Sequence, residues 1–197
     1  MPDPTFAKDQ LDQADAAPDY QLDQADAAPD WGDHIPFDGA PAPTLPKTVE
    51  LTWPQWYVAA QVGLLRYITS RQKGLEHKYG YNGHGAIDDI QAAAAEFATS
   101  LAMNISWQAG VNTFKDPDNG EYTQVRVTKH EDGCLIVRKE DPDTHRYVLV
   151  IQEAETRFSV VGWIWGGDAK QEQWLTAAGN NNRPRAYFVP QQELSTW

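Results

Sequence analysis

The feature that most constrains this chain is a change of hydrophobic period after Trp107. Before it, apolar residues recur at helical spacing; after it, they alternate or run in short blocks, as strands do. Two helical stretches followed by a strand-rich half predict an α+β (mixed α/β) domain, with helices packed on a central mixed sheet.

The first helix announces its own start. Thr52 caps the first turn with Gln55 three residues on, and Pro54 is tolerated there because its missing N–H would have had no partner. Trp53, Trp56, Tyr57, Ala60, Leu64, Tyr67 and Ile68 follow helical spacing, which predicts a core-packing face on a helix running to about Lys73. A Gly-rich connection, "KYGYNGHG", leads into "AIDDIQAAAAEFATSLAMNISW", a second helix with an apolar stripe of Ile87, Ile90, Ala94, Phe97 and Leu101. Glu96 stands beside that stripe among Ala92, Ala93 and Ala95. Such small neighbours let a helix approach a sheet closely and would bring the carboxylate to the sheet's edge. The plainer reading makes Glu96 an ordinary helix former facing water.

In the second half, "YTQVRVTK" puts Val125 and Val127 on one face and Tyr122, Gln124, Arg126 and Thr128 on the other. "CLIVRK" and "YVLVI" read as buried strands joined through "EDPDTH", a simple turn between antiparallel neighbours. "RFSVVGWIW" is a fourth strand, whose Trp163 and Trp165 are packing residues or, in a sharper reading, a base-stacking platform. "GDAKQEQWLTAAG" suggests a short helix closed by Gly179, and "RAYFVPQ" a last strand stopped by Pro190. Lys170, Arg183 and Arg185 around "GNNNRPR" form a basic loop, either a flexible surface loop or a contact for a nucleic-acid backbone.

Ahead of the helices lies a tandem repeat, "QLDQADAAPDY" at residues 10–20 and "QLDQADAAPDW" at 21–31. Two copies cannot build a solenoid, and each has too little apolar surface to offset the entropy of ordering it. With the Pro-rich stretch at residues 36–47, this predicts a disordered acidic tail over 1–47 and a folded domain over 48–197. The sharper reading is a protein-binding element, with Leu11 and Tyr20, then Leu22 and Trp31, docking on a partner, or an arm covering a basic groove.

Charge follows the same division. The formal net charge is −12, but residues 1–47 hold ten Asp against two Lys, leaving 18 acids and 14 bases for the rest. The folded part is therefore only mildly acidic, and a DNA partner is not excluded. A single cysteine, Cys134, excludes an intramolecular disulfide and a cysteine-rich zinc site, and points to a reducing compartment. Its apolar neighbours suggest a small buried residue. His34, His77, His84, His130 and His145 lack metal-ligand spacing and read as surface histidines. No apolar run approaches the roughly 20 residues needed to cross a bilayer, which predicts a soluble protein with no membrane partner, cytoplasmic or in a virion.

A helix bearing Glu, an Asp just before a strand, and a strand with an acid or amide two positions before a base resembles the PD-(D/E)XK, or restriction-endonuclease-like, nuclease superfamily. Residues 84 to 192 are also similar to small phage and prophage proteins associated with that fold, through strings such as "TFKDPDNGEYTQVR", "LIVRKEDPDTHRYVLV" and "VVGWIWGGDAK". The resemblance implies a site of Glu96, Asp118, Gln124 and Arg126, with Glu96, Asp118 and Gln124 as ligands of Mg²⁺. Mg²⁺ takes hard oxygen donors and keeps several waters, from which a bound metal generates hydroxide for attack on a phosphodiester. Gln124 is neutral where the family carries an acid, so Glu121 or Glu153 would have to help. Arg126 stays protonated and clamps phosphate rather than acting as a base. Apart from the resemblance, the same residues read as an edge strand with a solvated polar face after a "DNG" turn.

Two functions follow as expectations. One is a phage-type Mg²⁺-dependent nuclease that cuts DNA. The other is a catalytically degenerate relative that binds in a virion or against a host defence, with the acidic repeats as its interaction element.

Overall fold

The computed structural model describes residues 47–74, 85–113, 116–177 and 184–196. The repeats, the Pro-rich stretch to residue 46, His34, His77, His84, Gly179 and Arg183 lie outside the described residues.

A short strand, β1 (Lys47–Glu50), leads into α1 (Trp53–Gln72) and then α2 (Ala86–Met103). The strand-rich half follows as β2 (Thr123–Thr128), β3 (Leu135–Val137), β4 (Arg146–Gln152), β5 (Arg157–Trp165), α3 (Gly166–Ala169), β6 (Leu175–Ala177) and β7 (Arg185–Val189). The chain is thus a mixed α+β protein, with one four-stranded sheet ordered β1-β5-β4-β2 and a three-stranded sheet ordered β3-β7-β6. In the larger sheet β2 runs parallel to β4, while β4–β5 and β1–β5 are antiparallel. Among the described residues no helix is long and apolar enough to cross a membrane.

The strand period sorts side chains into two cores. Val125, Val148, Val150 and Phe158 face α1 and α2, together with Ala94, Ala95 and Ala98. Tyr147, Leu149 and Ile164 face the other way, onto Leu135, Val137 and Val189 of the small sheet. Because β4 is covered on both sides, it reads as the unbroken apolar run "YVLVI".

Several expectations hold in detail. Thr52 caps α1, its hydroxyl accepting from the Gln55 N–H while Gln55 reaches back to the Thr52 N–H at 2.9 Å. Pro190 ends β7 as the sequence indicates.

Four expectations are corrected. β3 and β4 are not a hairpin: β3 pairs with β7 in the small sheet and β4 with β2 and β5, so residues 138–145 carry the chain between sheets. The stretch after β5 is not one helix but a single turn, α3, a 3₁₀ turn at Glu172–Trp174 and the strand β6. Cys134 is half-buried rather than fully enclosed.

The fourth correction concerns the faces of the helices. The side of α1 turned inward carries Trp56, Ala59, Gly63, Arg66 and Ser70, whereas Trp53 is 64% exposed and Tyr57 59%, with Leu64 and Ile68 also in solvent. On α2 it is the alanines, Glu96, Thr99 and Ser100 that are buried, while Ile87 and Leu101 are exposed. Close approach decides both. A Cβ built on Gly63 lies 2.4 Å from the Ile90 Cα and 2.6 Å from the Asp89 carbonyl oxygen, so the α1 backbone rests on that of α2. Larger side chains at the crossing would hold the helices apart. The small residues therefore take the interior, and the bulky apolar stripe of α1 turns outward.

Gly63→Ala tests this contact. In an exposed helix the change stabilises by about 1 kcal/mol; here the added methyl meets backbone, so a loss of about 1–3 kcal/mol is expected in urea unfolding.

Candidate functional site

Glu96 is 5% exposed, which settles its two sequence readings in favour of the buried one. α2 carries it inward on the alanine face. Arg66 of α1 meets it end-on, Nη1 donating to Oε1 at 2.6 Å and Nη2 to Oε2 at 2.7 Å. Such paired, charge-assisted bonds are the strongest a carboxylate makes with a protein side chain. Trp107 Nε1 adds a third donor to Oε2 at 3.2 Å, its ring stacked on Phe97 with centroids 4.8 Å apart. Arg66 in turn donates through Nε to the Gly110 carbonyl at 2.7 Å. Burial disfavours the Arg66 charge, but hydrogen bonding and attraction from Glu96, with Asp118 and Asp89 beyond, outweigh it and raise the guanidinium's pKa.

Asp118 comes to the same place from the strand side. β2 is an edge strand of the larger sheet, so part of its backbone has no strand partner. The Asp118 carboxylate closes that gap by accepting from the Val125 N–H at 2.7 Å, and the Asp118 and Asn119 amides both donate to the Thr123 carbonyl. Asn119, wholly buried, donates from Nδ2 to the Glu96 carbonyl at 2.8 Å and so ties the loop to α2. Burial, and then the neighbouring Glu96 charge, push the Asp118 pKa up to about 7; the Val125 bond and the charges of Arg126 and Arg66 only partly offset this.

The structure thus brings Glu96 and Asp118 together and adds Arg66 between the helices. Gln124 and Arg126 project from the other face of β2, although the Arg126 charge still reaches Asp118. Val125 and Val127 face α2, so strand alternation sends the even-numbered side chains to the opposite side of the sheet. There Gln124 donates to the Asp116 carbonyl at 3.0 Å. Arg126 sits over the Tyr147 ring, 5.2 Å from its centroid, and pairs with Asp141 at 3.3 Å. Among the described residues no group of three or more His, Cys, Asp or Glu side chains is placed to hold a metal ion. Glu153, a candidate auxiliary ligand, pairs instead with Arg157 at 3.1 Å. Lys170 of the proposed basic loop is held by Asp143 and the Asp141 carbonyl.

Sequence reasoning missed Arg66, Trp107 and Asn119. One signal was present: Arg66 is the only charge in "VGLLRYIT", where helical spacing places it in line with Ala59 and Gly63. Trp107 and Asn119 gave no such signal, since each acts through a loop that only the fold brings to α2. No protein-family model matches the chain, and neither a curated protein nor a solved structure matches it.

Two outcomes follow. Arg66→Met leaves a buried carboxylate without its cation and should cost about 3–5 kcal/mol in chemical denaturation, part of which Glu96→Leu on the same background restores. Asp118 has a folded pKa near 7 against an ordinary 3.8, so the fold favours its protonated form. Its stabilising contribution is complete below about pH 3.8 and is lost as pH rises through 7. Asp118→Asn, which keeps a neutral side chain, should flatten that loss in thermal melts between pH 4 and 8.

Proposed function

We propose that this chain is a catalytically degenerate member of the restriction-endonuclease-like fold that works by binding, in a virion or against a host defence, with its acidic repeats as an interaction element. The observation that carries this reading is the engagement of Glu96: Arg66 takes both carboxylate oxygens and Trp107 takes one of them again. A carboxylate whose charge is already matched by a buried cation has little left to offer a metal, and giving up that pair is costly. The separation of Gln124 and Arg126 from the helix face supports the same reading. So does the outer face of α1, where Trp53, Tyr57, Val58, Leu64, Leu65 and Ile68 are exposed, the kind of apolar surface that marks interaction sites.

A second reading, the Mg²⁺-dependent nuclease acting on DNA, is favoured by one specific observation. Burial first, and then the neighbouring Glu96 charge, raise the Asp118 pKa to about 7, and a divalent cation between the two carboxylates would relieve the repulsive part. In that reading Glu96 and Asp118 hold the metal, Gln124 assists, and Arg126 clamps phosphate. The metal would supply a hydroxide for attack on phosphorus.

Titration of Mg²⁺ and Mn²⁺ into the full chain, with labelled single- and double-stranded DNA present, separates the two. The binding reading expects no metal-dependent cleavage. Cleavage that requires metal and vanishes in Asp118→Asn would establish the nuclease.

A further inference from the structure

The seam between α2 and the larger sheet opens, away from Glu96, into a groove that neither functional reading uses. α2 and β2 run in opposite senses here, so the first two turns of α2 lie over the C-terminal ends of β2 and β4. Along α2, Asp88 is eight residues from Glu96, about 12 Å. A hollow of ≈ 580 Å³ lies against Trp56, Ile87, Ile90 and Gln152, and an adjoining one of ≈ 380 Å³ against Asp88, Thr128 and Gln152. Gln91 and Lys129 line both.

Two residues that line this groove each carry a buried acceptor with no donor. Gln152 is only 9% exposed, yet its Oε1 has no hydrogen-bond partner, and the buried Oδ2 of Asp88 has none either. Buried polar atoms are nearly always paired, so a native orphan calls for a physical account. Strand alternation fixes the aim of one of them: Gln152 follows Val148 and Val150 on the helix side of β4, where the apolar row ends and the groove begins.

The chemistry of the lining narrows the ligand. Acceptors without donors call for a group rich in N–H. With Glu153 already paired to Arg157, the carboxylates of Asp88 and Glu155 still outnumber the ammonium of Lys129, which favours a cation and disfavours phosphate. Trp56, Ile87 and Ile90 form a wall for an apolar stem, and an indole face also attracts a cation. Two acceptors on different elements suit a planar fork of donors better than a compact ammonium. Lys129, at the exposed end of β2 on a long flexible stem, can swing aside.

We propose that this groove binds an arginine side chain presented by a basic partner protein, with the guanidinium serving Gln152 Oε1 and Asp88 Oδ2 and its methylenes lying along Trp56 and Ile90. The two hollows together exceed one side chain, which argues for a residue within a polypeptide rather than a free guanidinium compound. The proposal is independent of whether Glu96 and Asp118 hold a metal.

The test uses the full chain, isotope-labelled, with the side-chain amides of Gln91 and Gln152 and the indole of Trp56 followed by NMR. The probes are the peptide acetyl-Gly-Arg-Gly-amide, its lysine and citrulline counterparts, agmatine and deoxyadenosine monophosphate. The expected order is arginine over lysine over citrulline, with agmatine at least several-fold weaker than the arginine peptide. Gln152→Leu, which removes the orphan acceptor at similar volume, should weaken arginine binding about tenfold while leaving the melting temperature equal or higher; Asp88→Asn should weaken it too. Equal binding of citrulline, or an unchanged affinity in Gln152→Leu, overturns the proposal. Agmatine binding as well as the peptide would mean a small-molecule site, stronger shifts from the nucleotide a base pocket, and no shift from the arginine peptide up to its solubility limit no site; each result overturns it.

Discussion

The buried pair of Arg66 and Glu96 is the constraint on which the rest of the described fold depends. It joins α1 to α2 about one turn along α1 from the contact of Gly63 with Ile90, and its neighbours extend the tie outward: Trp107 and Gly110 from the loop after α2, Asn119 from the loop before β2. A pair of this kind is expensive to bury and more expensive to break, so it specifies an arrangement more than it stabilises one. With only Arg66 and Glu96 in register do the alanines of α2 meet the sheet and Gly63 meet Ile90. That register also sets where Asp118 lies, because the Asn119 side chain fixes the loop to the α2 backbone.

The same packing explains why the candidate site is incomplete as a metal centre. A helix that approaches a sheet on alanines brings its one carboxylate into a dry layer, and a dry layer demands a counter-charge. Here that charge comes from the next helix. Asp118, left beside this pair, has lost its water, and the charges of Arg126 and Arg66 only partly make up for that and for the nearby Glu96, so it holds its proton more tightly. Its clearest task is to cover the open edge of β2 at Val125. The groove at the far end of the seam is the complementary case: acceptors are buried there without donors, on the helix side of the same sheet.

Much of this was legible in the chain. The capping box at Thr52 and Gln55, the strands at "TQVRVT", "YVLVI" and "RFSVVGWIW", and the alternation of Val125 and Val127 are local properties, fixed by short-range hydrogen bonding and the period of a strand. The pairing of Glu96 with Asp118 was partly legible, through the alanines that let α2 come close. The inward face of α1 was not. Trp53, Tyr57, Leu64 and Ile68 form the stronger apolar stripe, and hydrophobicity alone sends them inward; what overrode it was the steric requirement at Gly63, visible only once Ile90 lies opposite.

By itself the sequence determined the elements, their order and the α+β class, because helix caps and hydrophobic period act over a few residues and need no partner. It also determined that Val125 and Val127 must face opposite to Gln124 and Arg126, since a strand's side chains alternate without exception of register. Which of those faces the helices cover, that β3 leaves its sequence neighbour for β7, and that Glu96 spends its charge on Arg66 were decided by the tertiary structure. Each depends on the distance between segments tens of residues apart, a quantity set by how the whole core packs.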